Sequence, residues 1–477
     1  MKANIWRSII IAGLSGLMLF SLVACGEKEE AVADETKKVV VEDMEIEPVY
    51  SKSFDFIGGP DVMPIGGYYG PAADIDAGDG RKMLDHYTDE VFQKIADSGV
   101  NLVLYPNADY KDMKKYVIKQ LELGEKYNLG FYIYDQVVCE PNPNQPISIE
   151  ELDKRIAEYC DYPAFCGVYV IDEPQHPLWT TDDSKYVSKF APIYQKLAKL
   201  GVTGSVNLGP IKKGSEADYQ NYRTFVEEVC STCAPTYLCY DYYVWDGDVT
   251  TEGYFYNMSI IREYAEKYNI PWWSFVQAGG SWNDGGMRFD AELYPHEGQF
   301  QWNVNTTLAC GAKGISYFPM IQPSKFSWAL SEEFDFQRSG LLGAYGNKTQ
   351  WWYYAQNANE QIKAVDSVLM NSVNKGIIVT GKQAKEDTKN FAFVMEGDSW
   401  RELKSVEGHT LIGCFNYNGK TALYVTNYES EYAQKITLNL QDTYKMTITH
   451  NAKEKKVQTD KLVLDMKAGE GALIVFN

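Results

Sequence analysis

The sequence predicts a (β/α)8 barrel over residues 50–370, followed by a small antiparallel β-sandwich over 371–477. Three observations predict it. Eight apolar, β-branched or aromatic runs recur along the chain, helix-like segments separate them, and beyond residue 370 the pattern changes to short alternating strands divided by turn signals such as Asn418-Gly419.

The eight runs lie near Pro64 to Tyr69, Val100 to Tyr105, Leu129 to Tyr134, Phe165 to Ile171, Gly204 to Leu208, Thr236 to Tyr240, Pro271 to Val276 and Gly314 to Phe318. Between them the helix-like segments are Thr88 to Ser98, Asp109 to Tyr127, Ile149 to Tyr159, Asp182 to Leu200, Asp218 to Val229, Tyr256 to Tyr268 and Glu297 to Ala309. Alternation of this kind implies parallel strands joined by crossover helices. Gly99, Gly201 and Gly311 stand where three of these helices need a left-handed C-cap before the next strand. An open doubly wound sheet is the competing architecture. It is disfavoured because Ile65-Gly-Gly-Tyr-Tyr-Gly-Pro71 does not supply the Gly-x-Gly-x-x-Gly turn after the first strand.

A last helix, Lys348 to Met370, carries Trp351, Trp352, Ile362, Val365 and Val368 and would complete the barrel. The sandwich strands follow at Gly376 to Thr380, Leu411 to Tyr417, Thr421 to Thr426, Gln434 to Leu440, Lys445 to Thr449, Lys461 to Met466 and Gly471 to Phe476.

At the other end, Lys2 and Arg7 precede an apolar run from Ile9 to Val23, and Leu22-Val-Ala-Cys25 has the pattern of a lipoprotein signal peptide. Cleavage after residue 24 would leave Cys25 first and lipidated, and residues 25–49, rich in Glu, Lys, Val and Asp, have the composition of a disordered spacer. The expected location is the extracellular side of a bacterial cell membrane, tethered through that lipid.

The formal charge of −20, from 65 acidic and 45 basic residues, opposes nucleic-acid binding. The five histidines are scattered and no calcium or phosphate loop occurs, so neither a metal nor another cofactor is expected. Cys230-Ser-Thr-Cys233 lacks the second pair and the histidines of a zinc site, and reads as buried thiols or one local disulfide. No obligate protein partner is expected.

In such a barrel the reacting groups come from the carboxyl ends of the strands and the loops that follow. Phe165-Cys-Gly-Val-Tyr-Val-Ile-Asp-Glu-Pro174 ends an apolar run in an acidic pair, so Glu173 is placed to face a pocket; capping of the next helix is its plainer explanation. Asp241, in Tyr237-Leu-Cys-Tyr-Asp-Tyr-Tyr243, is the second candidate carboxylate, because the seventh strand presents the amide Gln277 where an acid would be convenient. Tyr68, Asp172, His176, Asn207, Tyr242, Tyr243, Trp245, Gln277, Trp282 and Arg288 fall at the same end and are the candidate ligand contacts. Aromatics make up 14% of the chain, an excess that suits stacking on sugar rings and core packing equally.

The barrel with its acidic Ile171-Asp-Glu-Pro174 after the fourth strand resembles clan A glycoside hydrolases and their β-galactosidase-like relatives. The resemblance spans about Ser53 to Met370. It implies a carbohydrate substrate, Glu173 as general acid and a second carboxylate across the mouth. The chain departs from that pattern twice, with Asp172 where an Asn usually precedes the acid and with Gln277 after the seventh strand. A non-catalytic, glycan-binding lipoprotein derived from such a barrel is the alternative, and a scaffold without a sugar site is the third reading.

Overall fold

The computed structural model describes residues 52–73, 85–106, 113–135, 149–181, 183, 185–245, 249–279, 296–322, 340–396 and 400–477. Cys25 and the spacer lie outside the described residues.

Strands β1 (Ile65–Gly70), β2 (Leu102–Pro106), β3 (Gly130–Ile133), β4 (Phe165–Asp172), β5 (Gly204–Asn207), β6 (Leu238–Tyr240), β7 (Trp272–Gln277) and β8 (Ile315–Phe318) pair in parallel in the order β5-β4-β3-β2-β1-β8-β7-β6. The ring closes between β5 and β6 through the bridge of Leu208 to Tyr240, where Leu208 N–H donates to the Cys239 carbonyl at 2.9 Å. The expected barrel is therefore present, with strand bounds within two residues of those read from the sequence.

Helices α1 (Asp89–Asp97), α2 (Met113–Tyr127), α3 (Ile149–Tyr159), α4 (Val187–Lys199), α5 (Glu216–Cys233), α6 (Thr251–Tyr268) and α7 (Glu297–Ala309) are the crossovers. Their starts follow local chemistry: the Thr88 hydroxyl accepts from Val91 N–H at 3.3 Å, and Ser215 and Asp218 form a reciprocal capping box. The closing helix splits into α8 (Gln350–Lys363) and α9 (Asp366–Met370).

Side chains fill the barrel interior. Tyr132, Cys166, Tyr237, Cys239, Trp273 and Phe275 form one core with Phe54 and Ile57 of a 3-10 helix (Lys52–Ile57). Phe54 lies 5.8 Å from the Trp273 ring, which stacks on Tyr237 at 4.0 Å, so this helix plugs the amino-terminal floor. The pleat sends neighbours to opposite faces: Trp273 goes inward and Trp272 packs outward with the helical layer. Gly314 is required there, because a Cβ would come within 2.6 Å of the Trp273 ring.

The chain enters its second sheet at Ser372. Strands β9 (Ser372–Thr380), β10 (Val394–Met395), β11 (Leu403–Glu407), β12 (Thr410–Tyr417), β13 (Lys420–Asn427), β14 (Gln434–His450), β15 (Lys453–Met466) and β16 (Gly471–Phe476) pair in the order β10-β9-β12-β13-β16-β14-β11, with β15 on β14. The sheet is mixed: all pairs are antiparallel except β10 with β9. It runs as one hydrogen-bonded path around a core that includes Ile378, Ile412, Leu423, Leu438 and Ile474.

Helix α7 joins the two parts. From Phe300 to Ala309 every residue is buried, polar ones included. The Asn305 amide donates to the Gly469 carbonyl at 2.9 Å and its oxygen accepts from the Tyr424 hydroxyl at 2.7 Å. Gly413 crosses so close to α7 that a Cβ would lie 2.2 Å from the Ala309 carbonyl.

Candidate active site

The carboxyl ends of β4 and β6 bring three acids together, and β5 adds Asn207. At Asp172 the chain leaves β4, and the next residue, Glu173, takes a φ of +43°, a left-handed conformation costly for a side chain with a Cβ. The turn is held from two sides. Glu173 N–H donates to the Asn207 carbonyl at 3.0 Å, and the Lys185 ammonium donates to the Asp172 carbonyl at 2.8 Å. Backbone strain at a fixed acidic residue of a barrel mouth is the kind of outlier that accompanies function.

Asp172 does not cap the following helix. Its Oδ2 accepts from the Tyr68 hydroxyl at 3.0 Å, and its Oδ1 accepts from the Tyr169 hydroxyl at 2.7 Å and the Asn207 amide at 3.3 Å. Tyr68 and Tyr169 are themselves buried and pack 5.5 Å apart, so the two hydroxyls are aimed by the aromatic core beneath them. Tyr68 thus holds Asp172 and has no open ring face.

Glu173 keeps a solvent-exposed flank, with its remaining sides crowded by protein. A Cβ added at Gly209, after β5, would lie 3.4 Å from its Oε1, so the carboxyl rests against a backbone that has no side chain to displace it. Burial of that crowded side, then the charge of Asp172, raises its pKa above the usual glutamate value; Lys185 and Lys212 pull the other way.

Asp241 follows β6 and is buried. Burial first, then Glu173 and Asp172, push its pKa well above the ordinary aspartate range, opposed by hydrogen bonds from Tyr243 and Asn207. Its Oδ1 has no partner among the described residues, and neither has Asn207 Oδ1. Two buried acceptor oxygens without a protein partner thus lie beside two raised carboxyls, where a donor could meet them.

The rest of the predicted set divides. Tyr243 is half-buried and packs 5.1 Å from Phe318, which also contacts Tyr68 and Tyr69, giving the mouth one aromatic wall. Gln277 is buried and occupied: its Oε1 accepts from Trp245 N–H at 3.0 Å and its Nε2 donates to the Gly279 carbonyl at 3.2 Å. Trp245 is half-buried and packs edge-on against Trp302 at 5.4 Å.

Two residues expected as ligand contacts lie elsewhere. Tyr242 is fully buried and its hydroxyl donates to the Thr250 carbonyl at 2.9 Å while accepting from Thr250 N–H at 3.2 Å, so it braces the start of α6 and offers no face to a sugar. His176 is buried between Trp179 and Phe225, and its Nε2 pairs with Glu228 of α5 at 3.3 Å, so it fastens the loop after β4 to the neighbouring helix. Trp282 and Arg288 lie outside the described residues.

Tyr169 is the residue that sequence reasoning missed. In a regular strand residues 169 and 172 face opposite sides, but the β4–β5 register shifts between Tyr169 and Ile171, and the irregularity turns both toward each other. Asp135, two residues after β3, is buried and accepts from the Tyr159 hydroxyl at 2.6 Å, with Arg155 at 3.6 Å. Among the described residues no group of three or more His, Cys, Asp or Glu side chains is arranged to hold a metal.

No protein-family model and no curated protein matches the sequence. Solved structures that superpose on the chain include an alpha-amylase from Geobacillus thermoleovorans complexed with acarbose, at 9% identity over 88% of this chain and 98% of that one, TM-score 0.48. An alpha-amylase from Malbranchea cinnamomea superposes at 10% identity over 87% and 96%, TM-score 0.45. Native xylanase 10B from Thermotoga maritima does so at 10% identity over 64% and 97%, TM-score 0.40. The barrel rests on this chain's own strand pairing, and no activity is carried over from these proteins.

Proposed function

We propose that this protein is a glycoside hydrolase that cleaves an oligo- or polysaccharide, with Glu173 as general acid and Asp241 as the partner carboxyl. The observation that carries the reading is the pair of raised carboxyls at the ends of β4 and β6, one reaching solvent and one buried with an unpaired oxygen. Glycosidic cleavage needs a carboxylic acid that keeps its proton near neutral pH beside the leaving oxygen, and a second carboxyl that meets the developing positive charge on the sugar. The raised Glu173 suits the first role, and its open flank gives a substrate access to it.

The Leu22-Val-Ala-Cys25 pattern supports a lipid-anchored protein acting at the outer face of the cell membrane. The anchor, together with a carbohydrate substrate, makes up the expected set of partners.

The test is release of reducing sugar from glycan mixtures by wild type and Glu173→Gln. A loss of about 10²- to 10⁴-fold in the variant is expected for removal of a general acid. Equal rates in both would overturn the assignment. A second reading, glycan binding without turnover, draws support from Gln277, whose amide is fully engaged where an acid would be convenient. Saturable binding by a wild type that hydrolyses nothing would select it.

A further inference from the structure

We propose that Asp172 is a positioning residue, a fixed negative charge that confines a proton to the pair formed by Glu173 and Asp241. The proposal deepens the hydrolase reading by saying what sets the acid's protonation, and it rests on that reading only for its consequence in catalysis.

The argument starts from the cradle. Three donors from three strands, the Tyr68 hydroxyl from β1, the Tyr169 hydroxyl from β4 and the Asn207 amide from β5, converge on the two Asp172 oxygens. A carboxylate supplied with three donors is held as an anion would be, in one orientation. A substrate-binding carboxylate would keep lone pairs facing the bowl; this one spends them on the protein.

Asn207 links all three acids. Its carbonyl accepts from Glu173 N–H, its amide donates to Asp172, and the same amide reaches Asp241. It therefore ties the Asp172 carboxyl to the Glu173 backbone. Both neighbours feel that charge in the direction that favours their protonated forms.

The remaining charged and titratable groups around the pair are few. Lys185, from the loop after β4, and Lys212, from the loop after β5, favour the ionised form of Glu173. Tyr222 of α5, Tyr243 after β6 and Cys239 of β6 face Asp241, and each is pushed toward its neutral form by burial and by these carboxylates. Beyond burial, the largest cause for both groups, Asp172 is the charge outside the pair that favours their protonated forms.

Asp172→Asn preserves the cradle. The amide oxygen can accept from Tyr169 and Asn207, and the amide nitrogen can donate to the Tyr68 hydroxyl. The full-length protein is titrated by infrared difference spectroscopy in the protonated-carboxyl region, a readout that needs no substrate, with Glu173→Gln and Asp241→Asn assigning the band. The expected result is a move of the assigned titration to lower pH by about one unit in Asp172→Asn, the size of shift a neighbouring like charge produces. The alkaline limb of the kcat/KM profile on a cleaved glycan should move with it. An unchanged titration in a folded Asp172→Asn overturns the proposal.

If that variant does not fold, the double variant Tyr68→Phe/Tyr169→Phe replaces it. Stripped of two of its three donors, the Asp172 carboxyl is no longer held in one orientation, and the assigned band of the pair should shift its titration. An unshifted titration of that band would equally sink the idea. A titration that shifts in a protein hydrolysing no glycan leaves the positioning role standing and removes the hydrolase reading.

Discussion

At the floor of the barrel, the Lys313 ammonium donates to the carbonyls of Leu369 and Ser372, and Asp366 accepts from the backbone of Met63 and Ser367. At the mouth, Asp241 and Asn207 each keep a buried oxygen without a partner among the described residues. Both ends bury charged groups, and both shift their titration: burial draws Lys313 down to about 7 and pushes Asp241 upward. The difference is what surrounds them. The floor satisfies these charges with backbone partners, whereas the mouth sets three carboxyls side by side. Floor residues serve stability, whereas the raised carboxyls of the mouth cost stability, as the proposed site requires.

Three substitutions break or sharpen that contrast. The largest effect is expected from Trp273→Ala at the floor. Removing a fully buried indole stacked on Tyr237 should cost about 3–5 kcal/mol, read as a lowered guanidinium midpoint, while the mouth carboxyls keep their titration. A midpoint within error of wild type would mean the floor is not the stabilising end.

Asp241→Asn should do the opposite and stabilise the protein by about 0.5–2 kcal/mol at neutral pH, at the expense of activity. The sign follows from linkage. A folded-state pKa raised above the ordinary aspartate value of 3.8 means the folded protein binds the proton more tightly than the unfolded chain does. The native state therefore loses stability as pH rises through and beyond that value. The gain in the variant should be absent in strong acid and grow with pH, which thermal melts across a pH series would reveal. A destabilised variant at neutral pH would show that Asp241 is held as a satisfied structural carboxylate.

The smallest effect belongs to Gly209→Ala. The added methyl would sit 3.4 Å from Glu173 Cγ and Oε1, an ordinary contact, and the glycine is not in the left-handed region. Stability should change by less than about 0.5 kcal/mol. Hydrolysis should fall only a few-fold, measured as kcat/KM. A collapse of activity would mean that the Glu173 carboxyl uses the space above Gly209 in the reaction.

The barrel was legible because its strands are buried on both faces, so their apolar runs stand out, and because Gly99, Gly201 and Gly311 mark the helix ends with φ values of 88°, 71° and 99°. The meeting of Asp172, Glu173, Asn207 and Asp241 was legible for a related reason: in a parallel barrel, residues that end neighbouring strands share one rim. Side-chain direction was not. Tyr242 and His176 sit at the right places in the chain, yet the loops after β6 and β4 turn them into the helical layer. Tyr169 escaped notice because a single irregularity in β4 reverses the alternation from which inward and outward faces are counted. In the second sheet β9, β12, β13, β15 and β16 were readable from alternation, but β11 and the parallel β10–β9 edge were not, and Gln434–His450 is one strand where two were expected.

Helix α7 has one more consequence. Its buried asparagines and threonines are bonded partly to the barrel side and partly to Gly469, Tyr424 and Thr426 of the sheet, so neither part owns the helix. Engineering that treats the carboxyl-terminal hundred or so residues as a detachable module would take away the partners of those polar groups and expose the buried apolar face of α7 to water. Exchanging the sheet among barrels of this architecture is therefore best done with α7 and the sheet moved together.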